Sequence, residues 1–188
     1  MFDDPLLFKD KYRIPTTRLE GWRYVEGLFY VTIVTNGRYP WFGHIDDGRM
    51  ILSEAGKIVD DCWNKIPIIR PNVSLDEYVV MHDHFHGILT LHRCDTELHG
   101  TVVETPHWGV STGVQHHPKY NPEWMSGCLG AIVNQFKGAC TKRIRNTVDF
   151  DFAWQDLYHE HIIRNEKDLD RIRDYIVNNP GNWKEDFE

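Results

Sequence analysis

The segment LDEYVVMHDHFHGILTL, residues 75–91, constrains the fold more than any other stretch. Both of its halves are rich in β-branched, aromatic and aliphatic residues, the composition of strands. A polar knot, His82-Asp83-His84, stands between them. The simplest path is two strands joined tightly near His82-Asp83, because Asp serves well in a turn. The chain is therefore expected to build an antiparallel sheet around this hairpin.

The remaining segments fit that frame. GLFYVTIVT (27–35) reads as a buried strand, and Asn36-Gly37 ends it with a turn. WFGHIDDGRMILS (41–53) reads as a strand pair around Asp47-Gly48. Ser53 is placed to cap a helix whose Ile58, Val59, Cys62, Trp63 and Ile66 share one face, with Pro67 and Pro71 ending it. Residues 92–127 have no sustained period and are rich in His, Gly, Pro and Thr, which predicts a long loop of the kind that is functional or mobile. CLGAIVNQFKGACTKRIR (128–145) predicts an amphipathic helix, apolar along Leu129, Ile132, Val133, Phe136, Cys140 and Ile144. Residues 147–164 suggest a strand pair or a bent strand. A last helix is expected over 166–179, capped by Asn165 with Asp168 three residues on and stopped by Pro180-Gly181. Strands and helices mix without strict alternation, which favours an α+β fold with helices packed on an antiparallel sheet.

Composition narrows the class. A length of 188 residues with 41% hydrophobic residues fits one domain that folds on its own core. No apolar run approaches the roughly 20 residues of a membrane span, and MFDDPLLFKDKYR lacks the apolar centre of a signal peptide. Cys62, Cys94, Cys128 and Cys140 are scattered and form no paired motif, so free thiols and a cytoplasmic setting are expected. The net charge of −7 argues against non-specific coating of nucleic acid. That charge is unevenly spread, however. Residues 149–188 hold 11 acids against 5 bases, while 128–145 hold 4 bases and no acid. A local basic surface is compatible with an acidic chain.

The strongest chemical signal is His84-Phe85-His86. Strand alternation puts both imidazoles on one face, a two-point site for a divalent metal. Spacing alone leaves a structural role open, since the chain holds 11 histidines. A second signal is Tyr175 with Asn179, four apart and hence stacked on one helix face. Locally that pair also fits a half-buried aromatic and a polar residue ahead of Pro180.

Taken together these features resemble the single-tyrosine HUH transposases, and among them the REP-associated tyrosine transposases. The resemblance is carried by YVVMHDHFHGIL (78–89), LGAIVNQFKGACTKRIR (129–145) and WQDLYHEHIIRNEKDLDRIRDYIVNNP (154–180), with YRIPTTRLEGW (12–22) and FYVTIVTNGR (29–38) like the family's opening. It implies a ferredoxin-like or RRM-like antiparallel sheet with helices on one face and the HUH motif on a central strand. It makes residues 1–188 one domain, with a basic segment at 1–26, a loop at 92–127 and the tyrosine helix at 165–180. It implies a Mg²⁺ or Mn²⁺ ion held by His84, His86 and Asn179, and Tyr175 as the nucleophile that opens single-stranded DNA near hairpins through a 5′-phosphotyrosine. Expected partners are single-stranded or hairpin DNA, with the protein a monomer or homodimer and no membrane involved.

The chain departs from that family before the histidine pair, where Pro-Asn is usual and His82-Asp83 stands here. His82 is expected to face solvent. Arg13, Arg18, Arg23, Lys137, Lys142, Arg143 and Arg145 are the candidate DNA contacts. His159-Glu160-His161 repeats the HxH spacing but has Glu where the motif has an apolar residue, so His161 is expected to be packed or hydrogen bonded. Tyr158 lacks a polar partner one turn on. The loop histidines His99, His107, His116 and His117 have no cysteine pair at zinc-site spacing. Two alternatives stand beside the transposase reading. One is a hairpin-binding protein that does not cleave. The other is a histidine-triad nucleotide hydrolase, which the sequence HDHFH resembles apart from Asp83.

Overall fold

A computed structural model describes residues 26–93 and 128–183, together with the backbone of a two-residue strand pair, β1 (Leu7–Phe8) and β2 (Lys11–Tyr12). Arg13, Arg18 and Arg23, Cys94 and the histidines of the 92–127 segment beyond His92 lie outside the described residues. Four strands form the main sheet: β3 (Gly27–Val34), β6 (Val73–Val80), β7 (His84–Leu91) and β8 (His159–Ile163). Their order is β6-β7-β3-β8, and every neighbouring pair is antiparallel. This is the expected α+β fold with a ferredoxin-like strand order. β7, which carries the histidine pair, is central.

The 75–91 segment folds as its pattern predicts, with β6 and β7 joined through Met81-His82-Asp83. A small hairpin, β4 (Gly43–Asp46) and β5 (Arg49–Leu52), closes through Asp47 and Gly48 at φ 46° and 69°. Both turn residues are left-handed, as a tight two-residue hairpin requires. Helix α1 (Glu54–Asn64) starts at Ser53, whose hydroxyl accepts from the Gly56 amide at 3.1 Å. Pro67 does not simply end it. It sits in the first turn of a short second helix, α2 (Ile66–Ile69), where a missing amide costs nothing.

Alternation along β3 and β7 divides the core in two. Phe29, Val31, Ile33, Phe85 and Leu89 face α1 and the long helix α3 (Leu129–Thr147), and this layer holds most of the buried apolar side chains. Trp63 packs on Phe85 and Phe136 at ring-centroid distances of 4.6 and 5.3 Å. The opposite face is covered by α4 (Glu166–Asn182), whose Leu169, Ile172 and Ile176 bury Ile88 and Ile163. Helices on a single face are therefore only part of the arrangement. α1 and α3 share one face and the tyrosine-bearing helix takes the other.

Two boundaries differ from the sequence expectation. The 147–164 region forms one strand, β8, preceded by an irregular stretch. Phe152 and Trp154 are pulled into the first core, and Trp154 makes an isolated bridge with Thr35. Helix α4 runs through Pro180 to Asn182 instead of stopping there. Asn165 caps its start by accepting from the Asp168 amide at 2.9 Å. At the other end Pro180 forfeits only its own donor, and Gly181 packs against Gly48 of the small hairpin. This extra turn brings Asn182 and Trp183 to the cavity that Asn179 also lines.

Candidate active site

The second sheet face, between β7 and α4, holds a cavity of about 370 Å³. Its walls include His84, His86, Tyr175 and Asn179, the four residues singled out from the sequence. Antiparallel register sets the floor: His84 lies opposite Val34 and His86 opposite Thr32, and both Val34 and Thr32 line the cavity. The two imidazoles are buried, with centroids 4.6 Å apart. Asn179 is buried as well, whereas Tyr175, one turn earlier, is half-exposed. The Tyr175 hydroxyl sits 3.5 Å from His86 Nε2.

Each imidazole is held through its Nδ1. That of His86 meets the Tyr30 hydroxyl at 2.7 Å and the Thr32 hydroxyl at 2.9 Å. Burial, aided by the neighbouring His84, pushes the His86 pKa down to about 3. The ring is neutral at physiological pH, the form that ligates a metal. Burial also pushes the Tyr30 phenol up to about 12, so it stays protonated. His84 Nδ1 makes a short contact with Asp83 Oδ1, while Arg38 Nη1 lies 3.3 Å from Asp83 Oδ2. Burial raises the Asp83 pKa, but His84, His82 and Arg38 outweigh that and hold it below the ordinary range. In both rings the fixed Nδ1 orients the imidazole and leaves Nε2 as the second nitrogen, which in His86 faces the Tyr175 hydroxyl at 3.5 Å.

Among the described residues, no group of three or more His, Cys, Asp and Glu side chains could hold a metal ion. The cavity-lining side chains that could ligate a metal are two imidazoles and the Asn179 and Asn182 amides, with the Thr32 and Tyr175 hydroxyls, and no carboxylate is among them. They fit a divalent ion that tolerates nitrogen and completes its shell with phosphate oxygen or water, such as Mn²⁺. They fit less well the oxygen-rich surroundings that Mg²⁺ prefers.

The structure places the other candidates elsewhere. Lys137, Lys142, Arg143 and Arg145 all belong to α3, which packs on the face opposite the cavity. Lys137 donates to the Gln155 and Asp156 carbonyls at 2.6 and 3.1 Å. Arg143 pairs with Asp61 and reaches Cys62 Sγ at 3.3 Å. Arg145 donates to the Phe152 carbonyl at 2.8 Å. His161 is hydrogen bonded to Asp168 at 2.7 Å, as expected. Tyr158 packs against the first core. His82 does not face solvent. Its side chain is only 19% exposed and meets Trp183 edge-on at 4.4 Å.

Four contributors were not picked out from sequence: Tyr30, Thr32, Arg38 and Trp183. Tyr30 and Thr32 had a usable signal, since two hydroxyl residues alternate on one face of an otherwise apolar strand. Arg38 and Trp183 had none, because each stands at the end of a helix, Arg38 closing the short 3-10 turn Asn36–Arg38 and Trp183 capping α4, and carries no period that marks it.

No protein-family model matches the sequence. A Haemophilus influenzae protein, described as uncharacterized, is 34% identical over 175 residues that cover 90% of this chain and 89% of that protein. The chain belongs to the same family as this Haemophilus protein. Among solved structures, a REP-associated tyrosine transposase bound to a REP hairpin is similar at 21% identity and a TM-score of 0.48, over 88% of this chain and 73% of that one. A Deinococcus radiodurans protein provisionally described as a transposase is similar at 15% identity and a TM-score of 0.45, over 86% and 95% of the two chains. Neither similarity is close enough to transfer an activity. Among the described residues, no helix is long and apolar enough to cross a membrane.

Proposed function

We propose that the protein is a metal-dependent single-stranded DNA endonuclease and strand transferase of the tyrosine HUH transposase type. The observation that carries this reading is the convergence of His84, His86, Tyr175 and Asn179, from a central strand and a helix far apart in sequence, on one cavity. Tyr175 Oη would attack the phosphorus of a DNA phosphodiester. An O–P bond forms to the tyrosine, the P–O3′ bond breaks, the tyrosine gives up its proton and the departing 3′-oxygen takes one up. The product is a 5′-phosphotyrosine with a free 3′-hydroxyl, and the same step in reverse joins strands. A divalent ion held by His84, His86 and Asn179 would supply Lewis-acid polarisation of the phosphoryl oxygen.

The chain's own residues do the rest. Tyr175 stands half-exposed at the cavity edge, within reach of a strand laid across it. Asp83, Tyr30 and Thr32 fix the two imidazoles so that their Nε2 atoms stay in place without reorganisation. Arg38 lines the cavity and offers a guanidinium to a phosphate. The basic side chains of α3 would touch only flanking DNA. The N-terminal Arg13, Arg18 and Arg23 keep their proposed role in holding DNA.

A labelled single-stranded hairpin incubated with Mn²⁺ tests the reading. A denaturant-stable protein–DNA adduct is expected, and it should vanish in Tyr175→Phe and in chelator. An adduct that survives in Tyr175→Phe removes Tyr175 as nucleophile. A hairpin that binds without any adduct turns the protein into the non-cleaving alternative.

A further inference from the structure

Among the described tryptophans, Trp41, Trp63 and Trp154 belong to the first core or pack against it, whereas Trp183 joins neither apolar cluster. It stands at the C-terminal end of α4, where the backbone turns extended at φ −66° and ψ 124°. Trp183 lines the cavity and is 37% exposed. An indole is a large apolar surface that folding ordinarily buries, so an open one lining the cavity beside two imidazoles is a surface for a ligand to cover. The ring is also fixed in place. His82 meets it edge-on at 4.4 Å, and His84 lies beyond at 6.3 Å.

The cavity also carries a cation, Arg38. Arg38 follows Gly37 in a turn where both residues are left-handed, with φ 54° at Arg38 and 64° at Gly37. For a residue bearing a side chain, that is a strained conformation held by its surroundings. Its guanidinium is largely exposed, and Nη1 is tethered to Asp83 at 3.3 Å. A guanidinium has five donors, so Arg38, which lines the cavity, can offer others to what enters it. A flat apolar face, a guanidinium and the candidate metal donors share one 370 Å³ space. That combination matches one nucleotide of single-stranded DNA, with an unpaired base beside a phosphate.

We propose that Trp183 is the stacking platform for the unpaired base next to the reacting phosphate, with Arg38 as the phosphate contact. This rests on the cavity being a single-strand DNA site. Aromatic stacking accepts any base, because every base has a π-face. The platform therefore holds the strand in place and leaves sequence choice to other contacts. His82, which replaces the usual residue before the histidine pair, acquires a role as the buttress of the Trp183 ring.

The test uses the full-length protein and two fluorescent probes, a 12-residue oligothymidylate and the same backbone built from abasic sites, read by anisotropy. Wild type should bind the thymidylate at least ~10-fold more tightly than the abasic strand. Trp183→Ala should lose that preference and leave abasic binding unchanged, while Trp183→Phe keeps most of it. Equal losses on both probes, an unchanged affinity in Trp183→Ala, or no binding of thymidylate by wild type would each overturn the proposal. Phe150→Ala, at an exposed aromatic residue that does not line the cavity, should bind both probes as wild type does. Failure of the adduct assay with the thymidylate preference intact therefore strikes at the cleavage reading and leaves the platform standing.

Discussion

Arg173 grips Asp76 with both arms of its fork, Nε at 2.8 Å from Oδ1 and Nη2 at 2.5 Å from Oδ2. Arg173 lies two residues before Tyr175 on α4. Asp76 lies in β6, inside the register irregularity between Leu75 and Tyr78. The pair clamps the tyrosine helix to the sheet edge beside its apolar stripe. Arg173→Met or Asp76→Asn should let α4 shift and slow adduct formation by up to ~10²-fold, the scale of an ångström-sized misplacement. The double variant should lose no more than the worse single one, because the two residues act as a unit. Additive losses would show that the clamp does not exist.

The same pair sets a pH dependence. Arg173 hydrogen bonds hold the Asp76 carboxyl below its ordinary range, against a smaller opposing effect of burial. A carboxyl depressed in the folded state stabilises the fold above its unfolded pKa of about 4, and that contribution fades as pH falls through the lower folded value. Wild type should therefore be more stable than Asp76→Asn by a constant margin above about pH 5. The margin should shrink below pH 4. Urea midpoints across this range measure it, and a margin that grows on acidification would reverse the assignment.

Asp83 and His84 give a prediction about metal. Asp83 is 3% exposed, and its side chain serves His84 and Arg38, whereas Thr35 bonds only its main-chain carbonyl. Removing the carboxylate should thus spare the turn and free the His84 ring. Asp83→Ala should weaken Mn²⁺ binding by ~10–100-fold in calorimetry, the usual effect of losing a group that orients a ligand. Asp83→Asn, which keeps an acceptor for Nδ1 without the charge, should fall between the two.

His86 has two supports, so single losses should be mild. Tyr30→Phe leaves the Thr32 hydroxyl at 2.9 Å, and Thr32→Val leaves Tyr30 at 2.7 Å. Each single variant should weaken Mn²⁺ binding by about 3–10-fold, the worth of one hydrogen bond. The double variant should lose more than the product of the two, because the ring is then free to rotate. Simple additivity would mean that the hydroxyls do not share one task.

Much of this was legible in local pattern. Ser53 and Asn165 cap their helices, Asp47-Gly48 closes its hairpin, and the alternation around Phe85 sends His84 and His86 to one face. Those features depend on neighbours a few residues away. What escaped depends on distant ones. The persistence of α4 through Pro180 follows contact with Gly48, some 130 residues earlier, and that contact brings Trp183 to the cavity. The basic residues of α3 are candidate DNA contacts because their charges cluster in sequence. In the fold three of them are occupied by Asp61, the Phe152 carbonyl and the 155–156 carbonyls, on the far side of the sheet. Which face a helix takes was not readable from its own amphipathicity.

Gly87 supplies the last prediction. It follows the histidine pair in the central strand, opposite Val31 on one side and Tyr78 on the other. A methyl group added there would sit 2.6 Å from Trp63 Cζ2 and 2.7 Å from Phe85 Cε1. Both rings are fully buried, and they pack on each other at 4.6 Å, so neither has free space to enter. Gly87→Ala should cost about 1–3 kcal/mol, the range for overpacking a filled core. For a domain of this size that is a fall of roughly 2–12 °C in Tm. Phe85 lies between His84 and His86, so a displaced ring drags the backbone that carries both imidazoles, and Mn²⁺ binding should weaken with stability. Trp63→Phe removes the indole atom that meets the new methyl group. The double variant should therefore be more stable than the sum of the two single losses predicts, a coupling expected only of residues in contact. If Gly87→Ala melts with wild type, the aromatic layer has room to spare and the glycine is not required by packing.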